Sequence, residues 1–386
     1  MADPVIRGWC PGALRPMESG DGWVVRLRVP MGRLTPDQAR GVAAVAQAHG
    51  NGLIDLSARA NLQLRGVTPA SHTPLIHGLC DLGLVDDSAA TEARRNLTLT
   101  PFWHPEDDTD RLARALMRAL ITDAPDLPGK FGYAVDTGPA PVLSETPADI
   151  RLERDRGGGL ILRADGMECG LPVTLDDAVS LAMALARWFV ASGGVQDGRG
   201  RMAALIAAGA RPEGHATAPA KAATAPRPGR TAQGRLVGLA FGQIEAATLA
   251  ALAGFGAVRL TPWRMLLVEG AGDLPAIPGL ITRPDDPMLS VVACTGAPGC
   301  PQALGPTRDL ARDLARQLAP HLHGRLLHVS GCSKGCAHPR AADLTLTATR
   351  TGYDLIRRGT ASATPARSGL SPEMLRARPE TLSECP

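Results

Sequence analysis

The chain has 386 residues, a formal net charge of +3, 44% apolar residues and only 3% aromatic ones. That length supports two or three domains with their own cores, built from Ala, Leu and Val rather than rings. So mild a charge with so few rings argues against a nucleic-acid partner. No apolar run is long enough to span a bilayer, the best candidate at 177–192 being broken by Arg187.

The opening residues, through Arg7, Gly8, Trp9, Cys10, Pro11 and Gly12, lack the basic-then-apolar order of a signal peptide. Cys10, Cys80, Cys169 and Cys385 are isolated and unevenly spaced, so a disulfide framework is not expected. A reducing cytoplasm fits the absent export signal, and it fits the exposed thiolate cluster read below. A strand is predicted at 24–29, with Arg26 and Arg28 on one face and Val25, Leu27 and Val29 on the other. It leads to Gly32 and then to a helix whose start is marked by a capping box: Thr35, Pro36 and Gln38. A strand ending at Gly66 follows. In it Asp55, Ser57, Arg59, Asn61, Gln63 and Arg65 alternate with Leu56, Ala58, Ala60, Leu62 and Leu64. If the two strands are neighbours, four guanidiniums line one open sheet surface. A solvated sheet face is the ordinary alternative, but such a face mixes acids and bases, and this one has four arginines to one aspartate. Guanidinium suits bidentate carboxylate binding, so the implied ligand is large, flat and polyanionic.

Arg94, Arg95 and Asn96 then precede a strand through Leu97 and Leu99, and Lys130 sits in a Gly/Pro turn at 127–132 before a strand at 133–135. Residues 211–234 form an Ala/Pro/Thr/Gly run without periodicity, which reads as a flexible linker. The halves on either side look alike. Residues 52–66 match 256–270 without a gap, Leu56 with Leu260 and Leu62 with Leu266, and 148–152 matches 342–346. The chain therefore reads as a tandem duplication.

Only the second copy carries paired cysteine loops, Cys294-x5-Cys300 and Cys332-x3-Cys336, each punctuated by Gly and Pro. Four thiolates suit a cubane iron–sulfur cluster. Structural zinc is the alternative, but zinc sites usually place paired cysteines closer than x5. His321 and His323 end a predicted helix and answer its dipole.

Together these residues resemble the sulfite and nitrite reductase superfamily: the four-cysteine set, Ser57, Arg59 and Gln63, the Arg95–Asn96 step, and the turn containing Lys130. The family implies an α+β fold with tandem duplication, two paired ferredoxin-like half-domains and two larger α/β domains. On that pattern 1–70 is the first half-domain and 71–210 the first α/β domain. Residues 211–234 are the linker, 235–285 the second half-domain and 286–386 the cluster-bearing α/β domain. The reductases carry a second lysine where this chain has Gly132. Residues 7–12, 57–66, 127–138 and 330–339 look instead like the precorrin-3B synthase branch.

That branch implies oxidation of precorrin-3A with dioxygen to precorrin-3B, by hydroxylation and γ-lactone formation, in aerobic cobalamin biosynthesis. It implies a 4Fe-4S cluster on Cys294, Cys300, Cys332 and Cys336, and a further mononuclear non-haem iron. No ligand triad for that iron is readable, His328 and His338 being the nearest candidates. Arg59, Asn61, Gln63, Arg65 and Arg95 are expected to bind the substrate, and Lys130 and Arg95 to act in catalysis. Arg26, Arg28 and Arg94 are weaker nominees for the same surface. A ferredoxin or a flavin-linked reductase would donate electrons, with no nucleic acid or membrane as partner. The competing readings are a siroheme-dependent nitrite or sulfite reductase, and a non-catalytic electron carrier or zinc-stabilised module.

Overall fold

A computed structural model describes residues 11–322 and 324–382. Cys10, Cys385, His323 and the first part of the opening motif lie outside them. In the first half the elements run β1 (Met17–Ser19), β2 (Gly22–Leu27), β3 (Arg33–Leu34), α1 (Pro36–His49), β4 (Leu53–Leu56), β5 (Leu62–Val67), α2 (Pro69–Asp81), α3 (Ala89–Arg94), β6 (Leu97–Leu99), α4 (Asp108–Thr122), β7 (Tyr133–Asp136), β8 (Ile150–Arg154), β9 (Leu160–Ala164), β10 (Leu171–Val173), α5 (Ala178–Ala191) and α6 (Met202–Ala207). In the second half they run β11 (Gly229–Arg230), β12 (Gly234–Leu239), β13 (Gln243–Glu245), α7 (Ala246–Leu252), β14 (Val258–Leu260), β15 (Met265–Glu269), β16 (Leu280–Ile281), β17 (Val291–Ala293), α8 (Arg308–Leu322), β18 (Leu327–Ser330), β19 (Ala342–Thr349), β20 (Gly352–Gly359), β21 (Arg367–Leu370) and α9 (Pro372–Ala377). Residues 211–234 reach β11 after two bridges to the first half, Thr217 with Gly170 and Pro219 with Asp155. Among the described residues no helix is long and apolar enough to cross a membrane.

The duplication is visible strand by strand. One α/β layer has the order β6-β7-β8-β9-β10 and the other β17-β18-β19-β20-β21. Each begins with two parallel pairings and ends with two antiparallel ones. The smaller sheets are interlocked. Their orders are β1-β2-β5-β4-β13 and β11-β12-β15-β14-β3, so each half donates a short strand to the other half's sheet edge. The same device redirects the chain both times. Met31 and Gly32 have φ of 56° and 61°, and Phe241 and Gly242 have 58° and 73°. A non-glycine residue in the left-handed region costs on the order of 1 kcal/mol, which the exchanged strands offset. One carries Arg33, whose Nε and Nη2 both donate to Glu269 at 2.7 Å. Both half-domains share one core, running from Val25, Leu27 and Ile54 to Leu249, Val258 and Leu266.

The helix start at Thr35 forms as the sequence predicts, with Gln38 N donating to Thr35 Oγ1 at 3.1 Å and Thr35 N to Gln38 Oε1 at 3.0 Å. The alternating stretch from Asp55 to Arg65 is not one strand, however. Ala60, at φ 53°, reverses the chain between β4 and β5, and Ser57 Oγ accepts from Asn61 N at 3.1 Å inside the turn. The turn preserves face parity, because Asp55 lies opposite Gln63 in register. The alternation therefore continued through a reversal it could not reveal.

Candidate active site

β17, β18 and β19 are parallel neighbours, so the loops after β17 and β18 emerge at the same edge, where α/β sheets place their ligands. Those two loops carry the four cysteines. Short bonds fix them. Thr307 Oγ1 donates to Cys294 O at 2.6 Å, Cys300 N to Gly296 O at 2.8 Å, Ser330 Oγ to Cys332 O at 2.7 Å, and Gly331 N to Cys294 Sγ at 3.2 Å. The Tyr353 hydroxyl donates to Pro306 O. Burial pushes the Cys332 and Cys336 thiols up, and the other cysteines push both further. Among the described residues no three His, Cys, Asp or Glu side chains gather tightly enough to hold one metal ion. The four cysteines are nevertheless electrostatic neighbours of one another. Four neighbouring thiols that do not converge on one ion are the kind of set a multi-iron core would take, one thiolate per iron.

The first half-domain is tied to this edge. The Gly299 carbonyl, beside Cys300, accepts from Ser19 Oγ at 2.6 Å, Gly20 N at 3.1 Å and Arg65 Nη2 at 3.1 Å. Arg65 is buried, and its other bonds go to Asp21 at 2.5 and 2.8 Å, Asp55 at 3.3 Å and Ser19 at 3.1 Å. Burial opposes its charge, yet Asp21, Asp55 and Cys300 hold the guanidinium above its ordinary pKa. Arg65 thus pins the cysteine loop to the sheet.

Across the same sheet runs one polar row: Arg26, Gln63, Asp55 and Gln243, paired in register. Directly paired residues point to the same face. Asp55 Oδ1 accepts from Gln243 Nε2 at 3.1 Å and from Arg308 Nη2 at 3.0 Å. Arg264 Nη2 donates to Ala337 O at 2.7 Å, next to Cys336. Burial, then the Arg308 charge, lower the pKa of Arg264. His328 is fully buried beneath the second cysteine loop, with neither ring nitrogen partnered and its ring centroid 5.9 Å from that of His338. Burial, His338 and Arg264 bring its pKa down to about 4.

Of the remaining nominees, Arg28, Asn61 and Arg95 line a water-sized cavity of about 20 Å³, together with Trp103 and Arg259. Arg95 makes a bidentate pair with Asp86 at 2.9 and 2.7 Å and donates to Arg28 O at 2.9 Å. Arg28 Nη1 donates to Glu92 at 3.0 Å, and its Nε to Asn96 at 3.3 Å. Glu92 in turn accepts from Ala13 N at 2.6 Å, so the opening segment is held through it. Arg59 lies on the turn before β5, with Nη1 3.9 Å from where a Cβ on Gly132 would stand. Lys130 is exposed in the neighbouring turn, and Arg94 faces Asp126 at 3.5 Å.

The structure therefore brings together Asp55, Gln63, Arg65 and the cysteine loops, sets Asn61 and Arg95 around one small cavity, and leaves Arg59 and Lys130 on separate turns. Sequence reasoning missed Arg264, Arg308, Gln243 and Glu92. Arg264 had a signal: the gapless match of 52–66 with 256–270 puts it opposite Ala60, at a turn with the same positive φ, 59° against 53°.

A sequence profile of the nitrite/sulfite reductase ferredoxin-like half domain matches residues 15–82. The structure of Mycobacterium tuberculosis NirA superposes with a TM-score of 0.62 at 19% identity, covering 89% of this chain and 76% of that one. The fold is thus that of the sulfite and nitrite reductases. A ferredoxin–nitrite reductase of Leptolyngbya laminosa is 30% identical over 33% of this chain and 27% of its own length. A precorrin-3B synthase from Sinorhizobium sp. is 32% identical over 390 aligned positions, 93% of this chain and 84% of that protein. The chain belongs to the precorrin-3B synthase family, a family of oxidoreductases in cobalamin biosynthesis.

Proposed function

We propose that the protein oxidises precorrin-3A with dioxygen to precorrin-3B, placing one oxygen atom on the ring as a hydroxyl and closing a γ-lactone. The observation that carries this reading is the polar sheet row from Arg26 to Gln243 lying beside the cysteine loops, joined to them by Arg308 and Arg65. A macrocycle bearing many carboxylates needs such a surface. A 4Fe-4S cluster held by Cys294, Cys300, Cys332 and Cys336 would supply electrons one at a time. Asn61 and Gln63 orient the ring edge, Arg59 and Lys130 face it from the two adjoining turns, and Arg65 and Arg95 hold the walls. Lys130, exposed in its turn, is the group placed to move a proton. No third ligand joins His328 and His338 among the described residues, so no mononuclear iron site is assigned and no step is routed through one.

On this reading residues 1–70 and 235–285 are the half-domains, 71–210 and 286–386 the α/β domains, and 211–234 the linker. The enzyme works in the cytoplasm with a ferredoxin or flavin-linked reductase as electron donor. The likeness to nitrite reductases favours a second reading, a siroheme-dependent reductase. Gly132 weighs against it: a side chain there would start 3.2 Å from Asn96 O and 3.9 Å from Arg59, crowding the place of the lysine that those enzymes carry. Anaerobic purification followed by incubation with precorrin-3A and ¹⁸O₂ tests the proposal. The product should gain one labelled oxygen, with cluster iron and no extractable siroheme in the protein. Unlabelled product, bound siroheme with methyl-viologen-driven nitrite reduction, or zinc as the sole metal would overturn it.

A further inference from the structure

The arginines that sequence alone nominates for carboxylate binding are largely engaged within the protein. Arg65 bonds Asp21 and Asp55, Arg95 bonds Asp86, and Arg28 bonds Glu92. Two other guanidiniums on the same sheet face are not filled. The Nε atoms of Arg26 and Arg308 are both buried and have no hydrogen-bond partner. Arg26 stands at one end of the polar row, and Arg308 reaches Asp55 in its middle with Nη2 alone. A buried donor left unmade costs about 1–3 kcal/mol, so native proteins rarely keep two on one surface without something to take them.

Around this row four guanidiniums (Arg26, Arg65, Arg264 and Arg308) stand with two carboxylates (Asp21 and Asp55) and with Cys294 and Cys300, and Asp55 is shared by Arg65, Arg308 and Gln243. We infer that Arg26 and Arg308 form the carboxylate-binding ledge of the site, receiving acidic side chains of the tetrapyrrole substrate on the first sheet. Arg65, Arg95 and Arg28 act instead as positioning residues that fix the walls. The inference rests on the function proposed above and names which guanidiniums meet the substrate.

Anaerobic titration of the cluster-loaded protein with precorrin-3A, followed by absorption and by quenching of intrinsic fluorescence, tests it. In Arg26→Gln the dissociation constant should rise about 10- to 100-fold, the loss of one hydrogen bond to a charged group, and Arg308→Gln should weaken binding similarly. Arg26 has no side-chain partner to lose, so the thermal midpoint and cluster spectrum of Arg26→Gln should match wild type. Its binding should also weaken less steeply with added salt. Wild-type affinity in Arg26→Gln, with the wild-type protein binding precorrin-3A normally, would overturn the ledge and leave the proposed function standing. Failure of the wild-type protein to bind precorrin-3A would overturn both.

Discussion

The two half-domain sheets have the same strand order, yet the equivalent rows across them differ in chemistry. In the first sheet the row is Arg26, Gln63, Asp55 and Gln243. In the second it is Leu236, Leu267, Arg259 and Arg33. The first row meets the loop after β17, which carries Cys294 and Cys300. The second meets the corresponding loop after β6, which carries Phe102 and Trp103. There Leu236, Met265 and Leu267 are buried against Phe102 and Trp263. Arg259 is locked, donating to Pro101 O at 2.8 Å and Trp103 O at 2.5 Å with its guanidinium 4.2 Å from the Trp103 ring centre. Duplication supplied two equivalent rows; one is covered by apolar packing, and the other stays polar beside the cysteine loops. The α/β layers repeat the contrast. Ala134 in β7 packs with Leu143 and Ala148, whereas its counterpart in β18 is the buried, unpartnered His328.

Making the second row resemble the first should therefore be costly. Leu267→Gln places an amide where the native side chain is fully buried, and is expected to destabilise the protein by about 3 kcal/mol in urea unfolding. The mirror change, Gln63→Leu, should leave the unfolding free energy within about 0.5 kcal/mol while weakening precorrin-3A binding. Equal losses of stability in the two variants would erase the distinction between the rows.

The interlock between halves comes next. Glu269 accepts from Arg33 of the exchanged strand and from Arg259, at 2.7 and 2.5 Å. Burial alone would raise its carboxyl, but the two guanidiniums outweigh burial and hold its pKa below the ordinary value. Its contribution is then fully present above the unfolded carboxylate pKa and fades as pH falls through the lower folded value. Glu269→Gln should cost about 2 kcal/mol at neutral pH, and the gap between wild type and variant should narrow as the medium is acidified below the usual carboxylate range. A gap that widens in acid would contradict the pairing.

A smaller effect is expected at the contact between the first half-domain and the cysteine loop. A Cβ on Gly20 would stand 2.0 Å from Pro298 O. Gly20→Ala should lower stability by about 1–2 kcal/mol and reduce iron retained on gel filtration, while an alanine at the open position Gly129 should do neither.

Much of this arrangement was legible in the sequence because it was local. The Thr35 cap and each cysteine pair lie within a few residues of chain, and the repeat of 52–66 at 256–270 is legible because each copy is a short, gapless segment bounded by Gly. The exchanged strands β3 and β13 were not legible, because two or three residues carry no periodicity. Nor were the partners of Arg65: Asp21, Asp55 and Gly299 lie far apart in sequence, and only folding decides whether a guanidinium faces a ligand or a neighbouring aspartate. The turn at Ser57–Asn61 was hidden by its own parity, since the polar residues resumed on the correct face.

The central claim is that one row of the pair lies beside a cysteine-held cluster, on a sheet face rich in arginine. Electron paramagnetic resonance of the anaerobically reduced protein tests it most directly. The account predicts a cubane signal in wild type that is lost, with the bound iron, in Cys294→Ser, Cys300→Ser, Cys332→Ser and Cys336→Ser, and retained in Cys80→Ser and Cys169→Ser. Full iron content and an unchanged signal in any of the first four would contradict it.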